Sequence, residues 1–189
     1  INQYLGDAIM ALFPGSATDA LAAAIEMRKN IHDLNITRSL KGLSPIQIGI
    51  GMHTGSLIMG ITGDKERLDA TTISDTVNTA SRIESLTKYY KAGILLSDAT
   101  LLQIQDQQQF NLRYLGKVQV KGKQEPVGLH ECFSGSMDEE IEIKEKTLSL
   151  FNEGMNHYLN RSFASAIEIF QSITASNPGD LTAEFFLTN

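Results

Sequence analysis

Asp7, Asn78 and Arg82 are the side chains whose type and setting could hold a charged ligand. Asn78 and Arg82 stand four residues apart within Arg67-Leu-Asp-Ala-Thr-Thr-Ile-Ser-Asp-Thr-Val-Asn-Thr-Ala-Ser-Arg82. This stretch reads as a short extended segment that turns into a helix, with Ser74 as N-cap and Asp75 in the first turn, where a negative charge complements the helix dipole. At about 100° per residue, Thr76, Val77, Ala80 and Ile83 share one arc, which puts Asn78 and Arg82 together on roughly the opposite side. Leu86 falls beside the pair, as it would on a surface that meets a partner or a ligand. Asp7 follows Gly6 between two short apolar runs, so its carboxylate is expected at a hairpin tip, clear of the sheet. Taken singly, each has an ordinary alternative: a turn aspartate satisfies local amides, and an amide and guanidinium one turn apart also describe a solvated face.

These groups need elements to position them. Ile1 to Phe13 reads as a hairpin closed at Gly6-Asp7 and ended by Pro14-Gly15. Ala17 to Leu34 keeps helical apolar spacing, and Asn35 to Ser44 is loop-like. Ile46 to Met52 alternates like a strand, Thr54-Gly55 turns, and Ser56 to Ile61 is expected to complete a hairpin with it. Beyond the central helix, Gly93 to Ser97 reads as a strand, Asp98 to Gln105 as a short helix and Phe110 to Val120 as another strand. Pro126 to Phe133 is expected as a last, edge strand. Strands and helices mixed with hairpins predict an α+β fold with a mostly antiparallel sheet flanked by helices.

Ser134 to Glu140 breaks the composition, so 1–133 is expected as one domain, 134–143 as a linker and 144–189 as a helical segment. Lys144 to Leu159 and Phe163 to Ala175 form the helical hairpin of that segment, and Gly154, Ala166, Phe170 and Pro178 are spaced as in a tetratricopeptide repeat. His157 occupies the usual Tyr position, with Tyr158 one residue late. A single repeat cannot bury its own face and must pack on the rest of the chain, a partner or further repeats.

Hydrophobic content of 42% and charged content of 20% are those of a soluble globular chain. The net charge of −6 argues against a general nucleic-acid or anionic-membrane binder. Cys132 is the single cysteine, which excludes an internal disulfide and a cysteine-based metal site and fits a reducing, cytoplasmic setting. No run approaches the ~18 apolar residues of a membrane span. Ile1 stands directly in strand-like sequence without an initiator Met, which is expected of part of a longer polypeptide.

Gln3-Tyr-Leu-Gly-Asp-Ala-Ile-Met-Ala-Leu-Phe resembles the metal-binding hairpin of class III nucleotide cyclases. Gly49-Ile-Gly-Met-His-Thr-Gly, followed by Arg67 to Glu84, resembles their central strand and Asn-xxx-Arg helix, and Val120-Lys-Gly and Glu125-Pro-Val match near the end. The resemblance implies a ferredoxin-like sheet and a head-to-tail homodimer of catalytic domains with sites at the interface. It implies that Asp7 binds metal, with two Mg²⁺ or Mn²⁺ ions per site helping the 3′-hydroxyl of ATP or GTP to attack the α-phosphorus. Asn78 would orient the ribose and Arg82 would clamp the α-phosphate, where a guanidinium fork suits developing charge. Lys121, and with it Arg67, would lie near the triphosphate, while His53 is expected in a supporting role.

Gln3 and Thr71 fall at the base-reading positions. Thr71 sides with adenine, whereas Gln3 replaces the lysine usual in adenylyl cyclases, and its amide can be arranged for either purine. Ser74 stands where the family usually has Gly, which is expected to stiffen the turn into the helix. The family's first metal aspartate lies on an earlier strand, which the resemblance places upstream of Ile1. The resemblance therefore implies an adenylyl cyclase making 3′,5′-cyclic AMP, with a degenerate regulatory module that binds nucleotide or a partner as the alternative. The C-terminal helices are expected to dock a protein partner.

Overall fold

A computed structural model of the chain describes residues 1–63, 68–120 and 125–189. Its centre is a four-stranded sheet in the order β3-β6-β8-β7, made of β3 (Ile50–Met52), β6 (Ile94–Ser97), β8 (Val127–Cys132) and β7 (Leu112–Val118). Two further hairpins pair only within themselves: β1 (Gln3–Leu5) with β2 (Ala8–Met10), and β4 (Ile58–Gly63) with β5 (Leu68–Ile73). Every described pairing is antiparallel except β3 with β6, so the antiparallel-rich α+β architecture expected from the sequence is what the chain forms.

Alternation along the central strands splits the core into two faces. Leu95, Leu115 and Leu129 point to one side and meet Ile83 and Tyr90 of α2 (Asp75–Tyr90). Ile94, Leu96 and Cys132 point to the other and meet Leu21 and Ala24 of α1 (Ala17–Leu40). The short helix α3 (Asp98–Leu101) covers the same side, with Leu101 against that cluster.

Two strand expectations are corrected. β3 does not form a hairpin with β4; it runs parallel to β6, with Ile50 opposite Ile94 and Met52 opposite Leu96. Period-two alternation names the buried face of a strand but not its neighbour, and a parallel neighbour needs the long crossover that β4, β5 and α2 provide. β8 is an interior strand, hydrogen-bonded to β6 on one side and β7 on the other. α1 also continues through Asn35 to Leu40, a stretch expected as loop. Its polar residues fasten the returning chain: the Asn35 side chain donates to the Ile46 carbonyl and accepts from the Ile46 N–H, and Arg38 donates to the Ser44 carbonyl.

The C-terminal residues form α4 (Asp138–Leu159), α5 (Phe163–Ser176) and α6 (Leu181–Thr188). α4 begins inside the stretch expected as linker, and three acidic residues, Asp138, Glu139 and Glu140, occupy its first turn. These helices do not stand apart from the sheet. Phe151, Met155, Ala166, Phe170, Ile173, Ala183 and Phe186 join Ile83, Leu95, Leu115 and Leu129 in one apolar cluster. Gly154 allows the close approach of α4 and α5, since a Cβ there would meet Ile169 and Phe170.

Candidate functional site

α2 is held from several directions, and the local chemistry explains each. Ser74 caps it, its Oγ accepting from Thr76 N–H at 3.0 Å while donating to the Ser56 carbonyl at 2.8 Å. Thr76 Oγ1 donates to the same carbonyl at 2.7 Å, so the helix start is tied to the segment that follows β3. Along its length α2 lies on glycines: a Cβ on Gly55 would meet Thr76, one on Gly51 the backbone of Ala80 and Glu84, and one on Gly49 the side chain of Thr87. The expected face of Thr76 and Ala80 is thus the one against bare backbone, and the deepest burial is rotated to Thr79, Ile83, Thr87 and Tyr90.

Asn78 is exposed and Arg82 half-buried, one turn apart on this immobilised helix. Leu86, one turn further, is half-buried and packs on the main core. β5 carries Thr71 opposite Gly60 and leads through Ile73 directly into the Ser74 cap; the Thr71 side chain lies outside the described residues. Arg67 and Lys121 also lie outside the described residues.

Gln3 and Asp7 are placed differently. Gln3 opens β1 opposite Met10, and Asp7 sits in the β1–β2 turn beside Gly6, whose φ of +66° is the left-handed conformation this tight turn requires. Both are exposed, on a hairpin separate from the sheet that carries α2. The structure therefore puts Asn78 and Arg82 one turn apart on one helix, and Gln3 and Asp7 on a hairpin that shares no strand pairing with the sheet beneath that helix. Among the described residues no group of three or more His, Cys, Asp and Glu side chains could hold a metal ion. A lone exposed carboxylate still suits a hard cation bound jointly by protein and substrate phosphates, which keeps much of its shell outside the protein.

His53 follows β3, half-buried, with Nδ1 2.8 Å from Ser97 Oγ. Ser97 caps α3, so His53 links the ends of two parallel strands.

The sequence reading missed a buried ionic network. Arg113 on β7 donates to Glu131 at 2.6 Å and, in a two-pronged pair, to both oxygens of Asp180 at 2.7 Å each. Lys144 of α4 donates to the other Glu131 oxygen at 3.0 Å, and the Arg113 guanidinium lies over the Phe151 ring at 4.0 Å. Burial opposes the charge of Glu131 and of Asp180, yet Arg113 and Lys144 outweigh it and hold both carboxyls below their ordinary range. Burial likewise opposes the Arg113 charge, and the two carboxylates raise its affinity for the proton. The signal in the sequence was Arg113 and Glu131 at positions of strands that otherwise point inward.

With this geometry in view, the likeness to known proteins extends over most of the chain. The family model described as adenylate and guanylate cyclase catalytic domain matches residues 3–134. The chain is 44% identical over 137 residues to an adenylate cyclase of Anabaena cylindrica, a match covering 69% of this chain and 27% of that protein. It is 35% identical over 186 residues to the terminal-differentiation specific adenylate cyclase of Dictyostelium discoideum, covering 95% of this chain and 9% of that protein. The chain thus spans only a small part of these relatives. Among solved structures it is similar to the adenylyl cyclase CyaB from P. aeruginosa, with a TM-score of 0.55 and 32% identity over 63% of this chain and 61% of that one. The guanylyl cyclase Cya2 gives a TM-score of 0.51 at 30% identity, over 61% and 57% of the two chains.

Proposed function

The chain belongs to the adenylate and guanylate cyclase catalytic domain family, and on that premise we propose that it converts ATP to 3′,5′-cyclic AMP and pyrophosphate. The observation that carries this reading is the fixed presentation of Asn78 and Arg82 on one face of α2, with the Thr71 strand feeding its N-terminus. Arg82 supplies a planar fork for charge that grows on the α-phosphate, and Asn78 holds the ribose so that its 3′-oxygen faces that phosphorus. Because the helix is anchored beforehand, little reorganisation is needed when the charge develops.

Asp7 would hold Mg²⁺ or Mn²⁺ together with substrate phosphates, as one carboxylate of the two-ion site expected of the family. A bound cation there lowers the pKa of the 3′-hydroxyl and offsets triphosphate charge. Arg67 and Lys121 are the candidates for the β- and γ-phosphates. Gln3 and Thr71 would read the base, and Thr71 together with relatives named as adenylate cyclases favours adenine over guanine.

We infer a site completed by a second cyclase domain, arranged head to tail, since Gln3 and Asp7 stand exposed on a hairpin that shares no strand pairing with the sheet beneath Asn78 and Arg82. We also infer that the C-terminal helices pack in the tetratricopeptide manner, since Gly154, Ala166 and Phe170 form the α4–α5 seam, and that their outer face meets a protein partner. No helix among the described residues is long and apolar enough to cross a membrane, and a cytoplasmic location suits an ATP-consuming domain with one reduced cysteine.

The test is cyclic nucleotide formation by the purified full-length protein with Mn²⁺ and either ATP or GTP. Cyclic AMP in excess over cyclic GMP is expected. Predominance of cyclic GMP would overturn the base assignment, and no product from either nucleotide would overturn the reaction.

A further inference from the structure

The family match ends at residue 134, yet the core that seats α2 does not. One side of α2 rests on Gly51 of β3 and on Gly49 just before it, and its far end is covered by α6, which lies beyond the matched domain. Phe185 stands edge-on to both Tyr89 and Tyr90, at centroid distances of 4.7 and 5.0 Å, and Phe186 lies 5.9 Å from Tyr90. Ile83 and Leu86 of α2 belong to or pack on the same cluster as Phe186.

α6 is not free to slide. Asp180 caps it by accepting from Ala183 N–H at 3.1 Å, and the same carboxylate takes the two-pronged pair from Arg113 on β7. Arg113 is locked by Glu131 on the neighbouring strand, and Glu131 by Lys144 of α4. A continuous path of contacts therefore runs from the sheet through the buried Asp180 to α6, and from the partly buried Phe185 to Tyr89 and Tyr90 at the end of α2. Tyr89 is seven residues, about 10 Å of helix axis, beyond Arg82. A tilt imposed at Tyr89 and Tyr90 is thus delivered to the face that carries Arg82 and Asn78.

We propose that α6, clamped to the sheet through Asp180, is a positioning element for the catalytic helix: Phe185 against Tyr89 and Tyr90 sets the angle at which α2 presents Asn78 and Arg82. Tyr89 and Phe185 are positioning residues that touch no substrate. The consequence is that whatever displaces the C-terminal helices changes turnover, because their contact with α2 is the last of its constraints. The inference rests on the cyclase reading above, and the similarity to the Dictyostelium protein, which continues through these helices, is consistent with a segment that travels with the catalytic domain.

Tyr89 is 56% exposed, so its truncation leaves the fold intact. Tyr89→Ala and Phe185→Ala are to be compared with the unchanged full-length protein for cyclic AMP formation with Mn²⁺ and ATP, and for hydrogen exchange of the α2 amides. The expected result is a fall in kcat of about ten- to a hundredfold with KM changed less than about threefold, since a displacement of the order of 1 Å acts on the transition state more than on binding. Tyr89→Phe, which keeps the ring, is expected to retain kcat, and the double variant to be no slower than the slower single one. Exchange near residues 82–90 should quicken in both alanine variants. An active parent whose kcat is unchanged by both truncations overturns the proposal, as does a loss seen in KM alone. Should the unchanged protein make no cyclic nucleotide, the cyclase reading fails by itself, and unaltered α2 exchange in Phe185→Ala then overturns the positioning role separately.

Discussion

The β1–β2 hairpin and α2 carry the two halves of the candidate site, and they are built in opposite ways. Among the described residues the hairpin pairs with itself and leaves Tyr4 67% and Ile9 59% exposed, although its two apolar runs are those of strands meant to be covered. α2 is capped at Ser74, seated on glycine backbone and closed over by α6, with Ile83 fully buried. Phosphoryl-transfer chemistry needs groups that are already in place when charge develops. The chain supplies that for Asn78 and Arg82 by itself. For Gln3 and Asp7 the described residues supply the turn geometry, and the exposed hairpin face is open to further protein surface.

The contrast can be broken at either side. Asp180→Ala should have the largest effect on stability, because it leaves Arg113 buried without its two-pronged partner; a loss of about 3–5 kcal/mol is expected in denaturant unfolding. Arg82→Ala should leave stability within about 0.5 kcal/mol and reduce kcat by about a hundred- to a thousandfold, as for loss of one donor to developing charge. Gly51→Ala should cost about 1–3 kcal/mol, since the added methyl meets the backbone of Ala80 and Glu84 and must push α2 away, and turnover should fall with it. Ile9→Ser, on the hairpin, should change unfolding of the isolated chain by less than about 0.5 kcal/mol while weakening any association that covers the hairpin. If Ile9→Ser proved as costly as Gly51→Ala in the isolated chain, the contrast between an open and a closed region would fail.

Acid offers a further probe of the closed side. Glu131 and Asp180 are held below their ordinary carboxylate values, so they contribute stability that is fully present above that range. That contribution is lost as pH falls below the ordinary range through the depressed values. The acid unfolding midpoint should therefore shift to higher pH in Asp180→Asn, and pH titrations followed by circular dichroism would register it.

How much of this was legible in the sequence depended on whether the signal was local. Gly6-Asp7 announced a tight turn, and Ser74-Asp75 announced a helix start, because turn and cap chemistry is written in adjacent residues. The pairing of β3 with β6 was not legible, since Ile50 and Met52 alternate identically whichever strand lies beside them. Nor was the interior position of β8, since Glu131 on β8 and Arg113 on β7 are buried only in a network that Asp180, 67 positions from Arg113, closes. Asn35 to Leu40 read as loop because their polar groups serve the backbone of the returning chain rather than solvent. Within the candidate site, Asn78 and Arg82 were legible as a shared helix face, while the constraints that fix that face, Gly51 and Phe185, declare themselves only in three dimensions.

We propose two half-sites, one on the hairpin and one on α2, that meet across two copies of the chain. The most direct test mixes two variants that are each inactive alone, Asp7→Ala and Arg82→Ala, and measures cyclic AMP formed from ATP with Mn²⁺. Random pairing makes half of the dimers mixed, each with one intact site, so recovery of about a quarter of the unchanged protein's activity is expected. A mixture as silent as either variant would contradict the claim.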